Sequence, residues 1–161
     1  MAGEQFFNAF TSCQGSSQML KFFSTTSSVV IQHAPATCPH PHTSRVNGSN
    51  AVRSYFDLLE THWNRSGVKI SKPPSVDAST RRVTLTAETT WTWKRSGKKW
   101  VEEFTWTLDY DEGLKIVSLV VRTISGPGTC VMRAVDANPA TTYENSAVHA
   151  SVSSQAQARV K

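Results

Sequence analysis

The sequence predicts an α+β fold in which helices come first and a long run of antiparallel strands follows. Apolar side chains recur at helical spacing in the first third of the chain and alternate with a period of two in the second half. When helices precede an antiparallel run of strands in this way, we expect the helices to cover one face of the sheet. The 161 residues suit a single domain. The 7 Phe and 5 Trp can form a core, which excludes a wholly disordered chain.

Three helices are predicted before the long strands. The first covers residues 4–10, where three Phe side chains share one face, and the second covers residues 17–23 after the break at Gly15. The third, over residues 51–63, has the most regular amphipathic pattern. Its apolar positions are Val52, Tyr55, Phe56, Leu59 and Trp63.

The first two strands are short. Residues 27–33 are rich in β-branched side chains and end at His33, just before Ala34 and Pro35. Residues 68–76 contain the pair Pro73-Pro74, which favours a strand at the edge of the sheet.

A meander of longer strands follows. Residues 82–94 and 100–110 alternate cleanly, and residues 114–124 form a nearly continuous apolar strand. A last short strand is predicted at residues 130–135. The predicted sheet therefore has five to six strands and is mainly antiparallel.

The domain is expected to span residues 1–135. Residues 136–161 are rich in Ala, Ser, Thr and Gln and lack apolar periodicity, so a disordered tail is expected there. The net charge of +5 is modest, and its densest basic stretch, residues 94–99, lies between two strands. That placement favours a solvated turn over a nucleic-acid surface, so no nucleic-acid partner is predicted.

Neither a membrane anchor nor a secretory leader is predicted. No apolar run approaches the ~20 residues of a membrane-spanning helix, and the first 13 residues lack a basic and then apolar pattern. Three widely spaced Cys indicate reduced thiols, hence an intracellular and specifically cytoplasmic protein. Cys38, His40 and His42 have an awkward spacing for zinc, so no metal is predicted. No other cofactor is predicted either.

Glu102 is the first candidate catalytic residue, because it interrupts an apolar face. A buried carboxyl group must be paired, protonated or turned toward a polar pocket, and such a group suits general acid or base chemistry. The alternative is that this face meets solvent or another subunit. The aromatic and apolar residues that share the face are Trp100, Phe104, Trp106, Leu108 and Tyr110.

His33 is the second candidate catalytic residue. It shares a side of its strand with Val29 and Ile31, which directs it toward the apolar face. Its imidazole suits a base or proton shuttle, with Glu102 as its orienter or as the acid. The alternative is a structural histidine, hydrogen-bonded at the rim of the core.

The other predicted residues line a ligand pocket. Trp91 and Trp93 suit either the floor of a pocket for a planar or terpenoid-like ligand, or a core or subunit interface. Arg122 suits either a salt bridge with Glu102 or Asp109, or the binding of an anionic ligand group. The remaining predicted lining residues are Tyr55, Leu59, Phe104 and Trp106.

Several segments resemble a known family. The stretch from Tyr55 to Leu59, the strand end Thr92-Trp93-Lys94 and the stretch from Trp100 to Phe104 are similar to fungal SnoaL-like (polyketide-cyclase-like) proteins of unassigned function. These belong to the nuclear transport factor 2-like superfamily, and the resemblance covers residues 4–135. It implies a cone-shaped fold in which helices pack on a curved sheet.

The resemblance also implies a range of functions. The superfamily contains cofactor-independent isomerases, dehydratases and cyclases as well as ligand binders and non-catalytic dimeric adaptors. In its ketosteroid-isomerase-like members a carboxylate stands near the position of His33, so this chain departs from their pattern. A small hydrophobic ligand and a homodimer are therefore expected, with a non-catalytic interaction module as the alternative.

Overall fold

The computed structural model describes residues 2–33 and 45–123. Within these ranges the chain forms three α-helices, one 3-10 turn and six strands. In order they are α1 (Ala2–Thr11), α2 (Ser16–Met19), the 3-10 turn (Leu20–Phe22), β1 (Val30–His33), β2 (Arg45–Asn47), α3 (Ser49–His62), β3 (Trp63–Asp77), β4 (Arg82–Trp93), β5 (Lys99–Tyr110) and β6 (Ile116–Thr123).

The strands form one sheet in the order β2-β1-β6-β5-β4-β3. All neighbours are antiparallel except β1 and β6, which run parallel with His33 opposite Val121. The mainly antiparallel six-stranded sheet, covered by helices on one face, confirms the predicted α+β class. Because β1 and β6 are parallel neighbours, His33 lies beside the C-terminal end of β6.

The core lies between the helices and the inner face of the sheet. Burial alternates along β4 and β5, as the period of two in their sequences predicts. The ring of Phe6 on α1 lies 5.0 Å from that of Trp106 on β5, and the ring of Phe10 lies 4.9 Å from it. These aromatic contacts attach α1 to the middle of the sheet.

Strand β3 is much longer than predicted. It begins at Trp63, where the sequence predicted the end of a helix, and continues to Asp77. Its pairing with β4 shifts register three times, including between Lys72 and Ser75, so the edge strand accommodates Pro73 and Pro74 in irregular segments.

Three other predictions differ from the structure or fall outside it. The predicted second helix is only one α-helical turn followed by the 3-10 turn. The predicted strand at residues 130–135 and the predicted tail at residues 136–161 lie outside the described residues.

Gly48 is required at the start of α3. Its φ of +85° and ψ of 166° lie in a region open almost only to glycine. Gly48→Ala is expected to lower the free energy of unfolding by about 1–3 kcal/mol. The cost comes from the backbone, because the structure of residues 2–33 and 45–123 places no atom within 4 Å of an added Cβ, apart from the two neighbours of Gly48 in the chain. Urea unfolding measures the loss, with Gly113→Ala as the control because Gly113 does not have a positive φ. Equal stability of the two variants would contradict this prediction.

Candidate active site

A small cavity lies where α1, α3 and the sheet meet. Its volume is about 20 Å³, enough for roughly one water molecule. The lining is mostly apolar, and it contains the buried ionisable side chains of His33, Glu102 and Tyr55. The lining residues are Phe10, His33, Tyr55, Leu59, Trp91, Glu102, Phe104, Trp106, Leu119, Val121 and Thr123.

His33 is held at this cavity by strand β1 and by a tyrosine on α3. Its side chain is 2% exposed, and its Nδ1 lies 3.0 Å from the hydroxyl oxygen of Tyr55. Either tautomer of the ring satisfies this hydrogen bond. Nε2 is buried and has no hydrogen-bond partner within residues 2–33 and 45–123. One nitrogen of the ring is thus positioned by Tyr55, while the other is available to a ligand.

Burial controls the charge of His33. Desolvation lowers the pKa of His33 from 6.5 to about 4, because water no longer stabilises the imidazolium. The ring is therefore neutral at neutral pH, with one nitrogen able to accept a proton and the other able to donate one.

Glu102 faces the same cavity from β5. It is 2% exposed and lies opposite Thr89 in the β4–β5 pairing. The indole N–H of Trp91 on β4 donates a hydrogen bond of 2.6 Å to Oε2 of Glu102. The inward position follows from the alternation along β5, as the sequence predicts. An N–H donor suits either ionisation state of the carboxyl group, since each leaves an oxygen able to accept.

Five of the seven predicted pocket residues line this cavity: Tyr55, Leu59, Trp91, Phe104 and Trp106. Trp93 does not. It is buried in another part of the same core, where its ring lies 4.0 Å from that of Trp63 and stacks on His62. Trp93 thus fills the core near the end of α3, one of the alternatives open from the sequence.

Arg122 is also absent from the cavity, because it is exposed on the outer face of β6. Strict alternation along residues 114–124 would put Arg122 on the same side of the strand as Ile116, and the structure contradicts this placement. Tyr110 pairs with Ile116 whereas Asp109 pairs with Ser118, so a bulge in β6 changes which residues face inward. After the bulge the inward residues are Leu119, Val121 and Thr123.

Four lining residues were not predicted: Phe10, Leu119, Val121 and Thr123. Helical spacing identifies Phe10 as a core residue, but only the docking of α1 brings it to the cavity. The bulge in β6 decides that the other three face inward, and bulges leave no reliable sequence signal.

Comparison with known proteins gives the fold. No family model and no curated protein matches the chain. Solved structures that resemble it include AusH from Aspergillus nidulans (TM-score 0.63, 15% identity, covering 84% of this chain and 92% of that one). BvnE pinacolase from Penicillium brevicompactum has a TM-score of 0.60 at 13% identity, covering 76% of this chain and 82% of BvnE.

A third similar structure is the epoxide hydrolase/cyclase-like enzyme SalBIII, which has a role in pyran-ring formation in the polyether salinomycin. Its TM-score is 0.61 at 14% identity, and the match covers 76% of this chain and 87% of SalBIII. The chain therefore has the nuclear transport factor 2-like fold of these structures, which confirms the predicted resemblance at the level of the fold. Since one fold of this kind carries many activities, the function must be argued from the cavity.

The described residues also bear on a membrane span and a metal site. Neither described range contains a helix with the length and apolar character needed to cross a bilayer. In the same two ranges no three His, Cys, Asp or Glu side chains are grouped so as to hold a metal ion. Cys38, His40 and His42 lie outside those ranges, so the absence of a metal site there stays a prediction.

Proposed function

We propose that the protein binds a small hydrophobic molecule between His33 and Glu102 and moves a proton on it without a cofactor. The reaction would be an isomerisation, a cyclisation or a dehydration, which all require a proton to leave one position and another to be delivered. The observation that carries the proposal is that the buried imidazole of His33 and the buried carboxyl group of Glu102 border one mostly apolar cavity. The similarity in fold to BvnE, a pinacolase, and to SalBIII, an epoxide hydrolase/cyclase-like enzyme, supports this class of reaction.

His33 is the proposed base, and Tyr55 is its positioning residue. When Nδ1 carries the ring proton, its N–H donates a hydrogen bond to the hydroxyl oxygen of Tyr55. The lone pair on Nε2 is then available to the ligand. Nε2 takes the proton from the ligand, and the resulting imidazolium returns it at a second position. A pKa of about 4 is compatible with this role, since the general base of ketosteroid isomerase has a pKa of about 4.6. Negative charge developing on the ligand would also raise the pKa of His33 during the reaction.

Glu102 is the proposed second proton-transfer group. Its carboxyl group either delivers a proton to the ligand when neutral or stabilises the His33 imidazolium when ionised. The hydrogen bond from Trp91 fixes the orientation of the carboxyl group in both cases. Because the surrounding side chains are apolar, such charge interactions are stronger in the cavity than in water.

The cavity must expand to hold a ligand larger than a water molecule, because its volume is only about 20 Å³. Binding therefore requires the aromatic lining to move apart. A ligand can drive that change only if it binds the expanded form better, which an apolar body does by burying its surface there.

Deuterium exchange tests the proton transfer without knowledge of the substrate. A panel of cyclic and terpenoid ketones is incubated with the protein in D₂O, and exchange at carbons next to the carbonyl is followed by NMR. His33→Gln is expected to lower the exchange rate on a responsive ketone about 10²–10⁴-fold, and Glu102→Gln is expected to lower it as well. Trp93→Phe, a buried aromatic change outside the cavity, is the control. Undiminished exchange by His33→Gln contradicts the proposed base.

The second candidate function is a non-catalytic homodimeric binding or interaction module of the same fold. The small volume of the cavity favours it, because an interior that is nearly filled needs no ligand. Such a module should expose an aromatic patch to its partner. The exposed large apolar side chains in residues 2–33 and 45–123 are aliphatic: Ile70, Val76, Val101 and Leu114. A dimeric mass in solution, together with no exchange and no thermal shift across the ketone panel, would favour this module.

Other expectations rest on the sequence alone. The intracellular, cytoplasmic location, the homodimer and the lack of a nucleic-acid partner stay predictions. Gel filtration with light scattering tests the dimer, and a filter-binding assay at two salt concentrations tests nucleic-acid binding.

A further inference from the structure

A second and larger cavity lies at the other end of the helix–sheet core. It is bounded by the first turn of α1 and by the β3–β4 and β5–β6 turns, and it shares no lining residue with the cavity at His33. Its volume of about 300 Å³ is within the range of small-molecule sites. Its apolar wall is formed by Ala2, Val76, Ala78, Val83 and Leu114. A short hydrocarbon chain fits such a wall.

Tyr110 supplies an unused hydrogen-bonding group in this cavity. Its side chain is 8% exposed, and its hydroxyl has no hydrogen-bond partner within residues 2–33 and 45–123. Burial raises the pKa of Tyr110 to about 12, so the hydroxyl keeps its proton and acts as a donor. A buried donor without a partner is costly, so this hydroxyl favours a ligand that brings an acceptor oxygen.

Arg81 supplies a positive charge at the rim. Its guanidinium lies 3.8 Å from the carboxylate of Glu112. The Glu112 side chain is 91% exposed, so that ion pair is weak. The neighbouring Arg82, in contrast, is held by Asp109 through bonds of 2.6 and 3.2 Å. The guanidinium of Arg81 is thus the more available of the two for an anionic ligand.

Asp77, the acidic residue in the lining of this cavity, is engaged within its own turn. The Asp77 carboxylate accepts hydrogen bonds from the backbone N–H groups of Ser79 and Thr80, in the turn between β3 and β4. The backbone also holds two lining residues in an unusual conformation: Arg81 has φ +52° and Leu114 has φ +57°. Non-glycine residues adopt that conformation rarely, and such positions are common at ligand-binding sites.

We propose that this cavity is a second binding site, for a medium-chain carboxylate. The carboxylate accepts hydrogen bonds from the Tyr110 hydroxyl and the Arg81 guanidinium, while the alkyl chain lies against the apolar wall. Charge complementarity at the rim and the unpartnered donor select an anionic ligand over a neutral one. The site is independent of the proton transfer proposed at His33.

Titration with decanoate, kept below its micelle concentration, tests the site by calorimetry and by backbone NMR. One saturable site is expected, with shift changes at residues of α1 and of the two turns. Tyr110→Phe and Arg81→Gln are each expected to weaken binding about tenfold, since each removes a hydrogen bond to a charged group. Tyr55→Phe removes a hydroxyl from the other cavity and is expected to leave the decanoate affinity unchanged.

Several outcomes would overturn the proposal. The first is that decanoate shows no saturable binding to the full chain. The second is that decanol binds as tightly as decanoate. The third is that neither Tyr110→Phe nor Arg81→Gln changes the affinity for decanoate. A larger effect of Tyr55→Phe would place the ligand in the His33 cavity instead. Arg81→Gln alters a surface side chain and keeps the test decisive if Tyr110→Phe fails to fold.

Discussion

Phe6→Ala is expected to lower the free energy of unfolding by about 3–5 kcal/mol. Phe6 is 0% exposed, and its ring contacts those of Phe22, Phe23, Phe56 and Trp106. Removing the ring leaves a cavity among α1, α3 and the sheet, and it takes away one of the aromatic contacts that hold α1. Because the neighbouring rings belong to separate elements, they cannot all shift to fill the space.

Urea unfolding, monitored by tryptophan fluorescence, measures this loss of stability. The control is Asn8→Ala, on the exposed face of the same helix, which is expected to change stability by no more than about 0.5 kcal/mol. If Phe6→Ala were as mild as this control, the docking of α1 described above would be incorrect.

Acid is expected to destabilise the protein through His33. The unfolded chain binds a proton at His33 near pH 6.5, whereas the folded chain does so only near pH 4. Between these values the unfolded state holds more protons, so stability is fully present above about pH 6.5 and falls as the pH decreases. This difference in the pKa of His33 between the two states lowers the free energy of unfolding by about 3 kcal/mol by pH 4.

Urea unfolding of the wild type and of His33→Asn at several pH values from about 7 to 4 isolates this contribution. Asparagine keeps a polar group near the position of Nδ1 but does not titrate, so the variant should lose less stability in acid than the wild type. His62→Asn keeps His33 and should retain the wild-type dependence. Parallel pH profiles for the wild type and His33→Asn would refute the burial of a neutral imidazole.

Part of the candidate site could be predicted from the sequence. The alternation along β5 turns Glu102 inward, and the helical spacing of Tyr55 and Leu59 puts both on the buried face of α3. The parity of the first strand turns His33 toward the core in the same way. These inferences succeed because the period of a strand or helix determines which residues share a face.

The pairing of these groups could not be predicted. The bond between His33 and Tyr55 joins residues 22 positions apart, and it depends on how α3 crosses the end of β1. The bond from Trp91 to Glu102 depends on the register of β4 against β5, which aligns Thr89 with Glu102. Register and helix docking are set by packing across the whole core, so no local pattern encodes them.

The sequence by itself determined the α+β class, the order of most elements and the inward position of both candidate catalytic side chains, because these follow from local periodicity. Only the tertiary structure decided that β1 runs parallel to β6, that a bulge turns Arg122 outward, and that Trp93 packs away from the cavity. Only the tertiary structure showed how small the cavity lined by His33 and Glu102 is. Those properties arise from contacts between residues far apart in the chain, where close packing selects one arrangement among several that the local pattern allows.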